Sequence, residues 1–265
     1  MLHEFFESEK IECYAVLSYS DVREINTRLR EGCGFEPKSV IIYLLPYYAG
    51  ATENLSVYAA SLDYHIVIRG ISERLGGYLS DIFPKASYRG FGDHSPIDEC
   101  SAALSAGLGI RGDNGLIINE KYGSYVFIGD MITDIEPDRL GAVQPKDIGE
   151  CHHCGACRAA CPTGILRGEG CDCLSAITQR KGELTENEAA LMKKINTVWG
   201  CDICQSICPY NREPQITPIE FFHRERIPCL SSDILDTMGK EEFTSRAFAW
   251  RGRKTVERNL KLLGY

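Results

Sequence analysis

The apolar positions of the chain change period several times, and the changes mark its elements. Residues 1–10 read as a short helix and 12–19, Glu-Cys-Tyr-Ala-Val-Leu-Ser-Tyr, as a strand. Ser20 and Asp21 stand where a helix over 21–31 would be capped, and Gly32 and Gly34 close it. Residues 37–46 are an apolar, β-branched run between Pro37 and Pro46, the pattern of a buried strand. The loop 47–51 at its end lies where α/β sheets bind ligands. A helical pattern covers 56–80 through Tyr58, Tyr64, His65, Ile68, Ile71, Leu75 and Leu79. Residues 86–93 read as a strand and loop, and 97–108 as a helix stopping at Gly107 and Gly109. Residues 115–119 and 125–129 read as paired strands joined by a turn, with a further short strand at 131–134. Helices and strands mixed in this way predict an α/β or α+β domain.

Residues 140–149 read as a linker. A helix is predicted over 185–198, where Ala190, Leu191 and Ile195 keep helical spacing. Past Pro214 comes a tail with Phe221, Phe222 and a helix from Lys240. The expected organisation is an α/β (α+β) cofactor and substrate domain over 1–140, a bacterial ferredoxin-like double-cluster domain over 141–212, and a tail over 213–265 ending in a basic helix. The basic residues Arg246, Arg251, Arg253, Lys254, Arg258 and Lys261 read as a solvated face or as a phosphate-contacting patch.

The chemistry is concentrated between Cys151 and Cys208. Cys151, Cys154, Cys157 and Cys161-Pro162 follow C-x2-C-x2-C-x3-C-P, and Cys201, Cys204 and Cys208-Pro209 follow C-x2-C-x3-C-P. In two-cluster ferredoxins the last cysteine of such a run ligates the other 4Fe–4S cluster. That pattern assigns Cys151, Cys154, Cys157 and Cys208 to one cluster. It assigns Cys161, Cys201, Cys204 and either Cys171 or Cys173 to the other. C-x2-C pairs also bind zinc, but two proline-terminated runs are not the zinc pattern.

Bulk properties narrow the partners. The chain has 265 residues, net charge −8 and 13 cysteines, most of them used by this reading. An acidic chain binds nucleic acid only through a local basic patch. Cys13, Cys33, Cys100 and Cys229 are scattered and read as small apolar residues. No apolar run has the length of a membrane span, and the N-terminus shows no signal-peptide pattern. A cytoplasmic, monomeric protein is expected.

Further motifs carry a resemblance. They are Asp63-Tyr64-His65 before a helix; Asp93-x-x-Pro96; Ala106-Gly107-Leu108-Gly109-x-x-Gly112-x-Asn114; Gly123-Ser-Tyr-Val-Phe-Ile-Gly129; and the cysteine segment through Cys208-Pro-Tyr-Asn211. From about Ser39 to Asn259 the chain resembles the epoxyqueuosine reductase family, and its architecture is similar to that of corrinoid-dependent reductive dehalogenases. The family resemblance implies reduction of an epoxide on a tRNA wobble nucleoside, using cobalamin and two 4Fe–4S clusters fed by a ferredoxin- or flavodoxin-type donor. It favours Cys173 as the remaining ligand, since Cys173-Leu-Ser resembles an isolated Cys-Ile-Ser of the family. It implies Asp93 as general acid, with burial beside a corrin holding its proton. It also implies that Tyr64, His65, Gly107, Gly109, Gly112 and Asn114 border the cofactor. From the residues alone, Asp93 reads as a turn or cap residue before the helix at 97, and the glycines as permissive points near a cofactor or a tight turn.

The chain departs from the family where Cys100 replaces an arginine and Asp113 replaces a lysine, and both changes remove positive charge. The 265 residues do not include the helical-repeat extension with which longer members hold tRNA. The rival readings are a ferredoxin-like electron carrier and the same chassis acting on another small substrate.

Overall fold

In the computed structural model, residues 1–141, 149–170 and 172–265 are described. The expected linker around 142–148 and Cys171 lie outside the described residues. The chain forms two compact units: Met1–Pro46 with His65–Cys151, and Tyr47–Tyr64 with His152–Tyr265. The sequence-based partition at 140 and 212 thus differs from the structural one. Residues 47–64 leave the first unit, and the tail packs with the cysteine segment.

The first unit contains α1 (Leu2–Ser8), β1 (Tyr14–Ser18), α2 (Thr27–Glu31), β2 (Ser39–Pro46), α3 (Tyr64–Ile82), β3 (Tyr88–Phe91), α4 (Glu99–Ser105), β4 (Ile110–Arg111), β5 (Ile117–Ile118), β6 (Val126–Thr133) and α5 (Pro137–Leu140). Its main sheet has the order β1-β2-β6-β3, with every neighbour antiparallel. β2 is buried along its whole length, as its unbroken apolar run predicts. One face of the sheet, through Val40, Ile42 and Leu44, packs on Ile97, Ala102 and Ala103 in and before α4. On the other face Tyr43 meets Phe6 of α1 at 5.6 Å between ring centroids. Gly129 stands opposite Tyr43, where a Cβ would lie 2.5 Å from the tyrosine ring.

Several expectations change. The helix expected over 21–31 shortens to α2, and its cap is Asn26, whose side chain accepts from Leu29 N–H. The helix expected over 56–80 begins only at Tyr64, because the backbone of 47–63 is engaged elsewhere within the second unit. There Ser56 N–H donates to Trp199 O, Thr217 N–H to Tyr48 O, and Asp63 N–H to Ser245 O. The loop 47–51 is therefore not the mouth of a parallel sheet. Residues 117–118 pair with 110–111 rather than with 125–129. Asn119 turns the chain there, donating to Leu108 O and accepting from the N–H groups of Lys121 and Tyr122. Residues 131–133 continue β6, held in register by Val40 and Ile41.

The second unit contains α6 (Ala156–Ala160), α7 (Leu174–Thr178), α8 (Glu186–Ile195), α9 (Ile203–Ser206), α10 (Ser232–Thr237), α11 (Lys240–Thr244) and α12 (Arg253–Leu263). α8 begins at a capping box formed by Thr185 and Glu188, as its sequence signals. The core joins Leu55, Val198 and Trp199 to Leu235, Phe243, Phe248, Val256 and Leu260 of the tail. The tail helix is interrupted between α11 and α12, and its basic residues divide into two groups. Arg253 donates to the carbonyls of Leu235 and Met238 at 2.7 and 2.6 Å, so it satisfies the C-terminal end of α10. Arg258 donates to Arg180 O at 2.7 Å, and Arg246 is buried against Glu225 O. These three cations fasten the tail. Arg251, Lys254 and Lys261 are exposed.

Asn259 is fully buried and donates to Thr178 O and Val198 O, each near 2.8 Å. Replacing Asn259 by Leu strands both carbonyls and is expected to cost about 2–4 kcal/mol of stability, measured by urea denaturation.

Candidate iron–sulfur and carboxylate sites

Two short helices organise the cysteine segment. α6 carries Cys157 and ends at Cys161; α9 carries Cys204 and is followed by Cys208. α6 and α9 pack against each other, so the two C-x3-C steps lie side by side. Gly155 precedes α6 at φ +74, a left-handed turn that glycine adopts without strain. The His152 and Tyr210 rings stand 4.8 Å apart, joining the start of the first run to the end of the second. Cys151 closes the first unit in the chain, and Cys154, Cys157 and Cys208 belong to the second.

Cys161, Cys173, Cys201 and Cys204 act on one another electrostatically. Burial, and then the charges of Cys173, Asp202 and Cys161, push the Cys201 thiol up to about 11 against a hydrogen bond from Ile203 N–H. Burial and the charges of Cys201, Cys173, Asp202 and Cys157 push Cys204 up to about 12. Thiolates grouped this closely are costly alone and are stabilised by bound cations, which is the chemistry of an iron–sulfur ligand set. Cys161 differs. Burial raises its thiol, but hydrogen bonds from Leu166, Thr163 and Gly164 outweigh that and leave it below its ordinary value. Donors aimed at sulfur stabilise a thiolate ligand. Cys173, at the N-cap of α7, is within electrostatic reach of this group. The residues present therefore fit 4Fe–4S ligation.

Asp202 sits between Cys201 and Cys204. Its carboxylate accepts from Ser56 O–H and, at 2.6 Å, from Val57 N–H, which pins the 54–57 loop to the cysteine segment. Gly200, at φ +78, lets the chain pass where a Cβ would lie 2.4 Å from Ser56 Cβ.

In the first unit, Asp93 follows β3 at φ +63, an uncommon conformation for a non-glycine residue. Its side chain is exposed and lies 3.6 Å from His65 Nε2. It is not the cap of α4: that is Asp98, which accepts from Ser101 N–H. A cavity of 410 Å³ beside this loop is lined by His65, Ile68, Arg69, Phe91, Gly92 and His94, among others. Tyr64 is half-buried at the start of α3.

The buried carboxyls of this region are Glu99 and Asp130, which sequence reasoning missed. Asp130 is fully buried on β6, and Ser95 O–H donates to its Oδ1 at 3.1 Å. Burial pushes its carboxyl up to about 6, against hydrogen bonds from Glu99 and Ser95. Burial, the charge of Asp130 and the hydrogen bond to it push Glu99 up to about 9; the charge of Asp93 adds to this, and a hydrogen bond from Asp93 N–H opposes it. An aspartate inside the apolar run Val126-Phe-Ile-Gly-Asp-Met-Ile-Thr was the available signal.

The glycine constellation has a local explanation. Gly107 closes α4 at φ +69. A Cβ on Gly109 would meet Ile117 and Ile118, and one on Gly112 would meet Asn114 and Ile118, all within 3 Å. Asn114 accepts from Leu116 N–H. These residues pack closely within their own β4–β5 hairpin. Arg111 lies close enough for its charge to act on Cys100, so a cation stands near the position of the missing arginine.

Residues 150–211 match the 4Fe-4S double cluster binding domain family. The chain is 35% identical over 248 residues to the epoxyqueuosine reductase of Listeria monocytogenes, covering 84% of this chain and 63% of that protein. It is 37% identical over 208 residues to that of Escherichia coli, covering 77% and 50%. The structure of epoxyqueuosine reductase from Streptococcus thermophilus superposes with TM-score 0.76 at 25% identity, over 99% of this chain and 79% of that one. The chain thus spans less than two thirds of the length of these two curated relatives. No described helix is long and apolar enough to cross a membrane.

Cys154→Ala, Cys204→Ala and Cys173→Ala are each expected to lose about half of the iron, one cluster of two, while Cys171→Ala retains it. Iron and sulfide analysis after anaerobic reconstitution checks this; full iron in the Cys173 variant removes that residue from the ligand set.

Proposed function

Because the chain is a relative of the epoxyqueuosine reductases over most of its length, we propose that it is an oxidoreductase of that type, reducing the epoxide of epoxyqueuosine in tRNA. The observation that carries this reading is the match of one chain to both parts: a double-cluster segment at 150–211 and reductase similarity over 84% of its length. A similar fold has been solved as an epoxyqueuosine reductase with an epoxyqueuosine-modified tRNA stem loop, which makes tRNA the first substrate to test.

Cys151, Cys154, Cys157 and Cys208 hold one cluster, and Cys161, Cys173, Cys201 and Cys204 the other. When bound, the clusters supply single electrons, and the cobalamin implied by the family supplies a low-valent reductant. Hydrogen-bond donors around Cys161 stabilise its thiolate, and Cys201 packs against the buried Leu174, Ile177 and Met192, which shields the second ligand set from water. Asp93 delivers a proton to the oxygen released as the C–O bond breaks, since an alkoxide is a poor leaving group without one. In the first unit the carboxyl is exposed and has His65 beside it, which suits proton exchange with solvent between turnovers. An electron donor of ferredoxin or flavodoxin type completes the reaction.

The reading is tested on anaerobically reconstituted protein. EPR after gel filtration is expected to show reduced 4Fe–4S signals and retained cob(II)alamin, and a modified tRNA stem loop is expected to be converted to queuosine. Clusters without retained corrinoid and without conversion would make the protein an electron carrier. Asp93→Asn is expected to leave cluster content intact and reduce turnover by roughly 10²-fold or more; unchanged turnover would remove Asp93 from the mechanism.

A further inference from the structure

The first unit encloses an arrangement that ionised carboxylates alone cannot satisfy. Asp130 is fully buried and Glu99 Oε1 is buried. Ser95 serves Asp130 Oδ1, but Asp130 Oδ2 and Glu99 Oε1 meet no N–H or O–H donor among the described residues. The two carboxyls are nevertheless within hydrogen-bonding reach of each other. Two acceptor-only groups this close repel and remain desolvated; one proton turns one of them into a donor and removes both defects. The groups facing the pair are Asp93 and Ser95 from the loop after β3, Cys100 on α4, and Tyr43 on β2, which is in electrostatic reach of Asp130. Among the described residues, no cation is among the groups acting on Asp130.

From this geometry we infer that Glu99 and Asp130 share one proton at neutral pH, and that the proton-bridged pair is the positioning element that holds Asp93 in its left-handed turn. Glu99 reaches Asp93 directly, because its carboxyl accepts the Asp93 N–H. Ser95 ties the same loop to Asp130 and accepts from Ile97 N–H at 3.4 Å. A backbone at φ +63 is unfavourable for aspartate, so it persists only where its surroundings fix it. Losing the shared proton leaves two buried anions below the loop, and their repulsion moves Glu99 away from the Asp93 N–H. That Asp93 matters to turnover rests on the proposed function; the proton and the turn do not.

Glutamine at 99 copies the protonated state, with its amide N–H donating to Asp130 and its carbonyl accepting from Asp93. Wild-type, Glu99→Gln and Glu99→Ala proteins are therefore compared over pH by infrared spectroscopy of the carboxyl region and by amide exchange at Asp93, both without substrate. The wild type is expected to show a protonated-carboxyl band at neutral pH that titrates near pH 9 and is absent from Glu99→Gln. Protection of the Asp93 amide is expected to fall by about tenfold or more across that titration, to persist in Glu99→Gln, and to be low at every pH in Glu99→Ala.

Stability supplies a third readout. The folded chain retains the Glu99 proton above the range of an unfolded carboxyl, so it binds more protons than the unfolded chain up to about pH 9. Wild-type stability must therefore fall relative to Glu99→Gln as pH rises through that window. A wild type without the band, or Asp93 protection that ignores both pH and the glutamine substitution, overturns the inference even if the alanine variant fails to fold. Failure to reduce epoxyqueuosine, by contrast, would leave these readouts intact and count against the proposed function alone.

Discussion

Thiolates placed side by side repel one another, and the second unit is arranged around that repulsion. α6 and α9 pack together and bring two cysteine runs into one neighbourhood, where burial and mutual charge oppose ionisation of Cys201 and Cys204. Bound iron reverses that balance, because a cation stabilises the anions that the fold concentrates. The hydrophobic structure around the segment is correspondingly extensive. Trp199 is fully buried, its indole N–H donates to Tyr58 O–H at 3.0 Å, and the tail closes over it through Phe248, Val256 and Leu260.

The first unit meets the opposite problem, a cluster of acids in place of thiols. A carboxyl sealed within a sheet needs a proton or a donor, and Asp130 has Ser95 and Glu99. Its location on the α4 face of the sheet links the strand core to the loop that carries Asp93. On the sheet's other face Tyr43, opposite Gly129, packs toward Phe6 of α1. Both units thus use buried backbone or aromatic structure to control where charge is tolerated.

Several basic residues show why composition is a poor guide to partners. Arg246, Arg253 and Arg258 have the sequence appearance of a cationic patch. In the structure their guanidinium groups serve carbonyls at helix ends and loops, since a five-donor fork satisfies orphan acceptors well. Their charge is thereby committed to tertiary structure, while Arg251, Lys254 and Lys261 of the same basic run stay exposed.

By itself the sequence determined what depends on local spacing. The cysteine runs, the buried strand at 39–46 and the capping box of α8 are legible because each rests on residues near in the chain. The family resemblance was legible for the same reason, through short motifs in order. Tertiary structure alone decided what depends on distant partners. It sent residues 47–63 to pair with Trp199, Thr217 and Ser245, which cut the expected helix at Tyr64. It joined 117–118 to 110–111 and ran β6 through to Thr133. It also brought Glu99 and Asp130, on an α-helix and a β-strand, into hydrogen-bonding reach beneath Asp93. A carboxyl's protonation follows from what surrounds it in space, and no spacing along the chain encodes that.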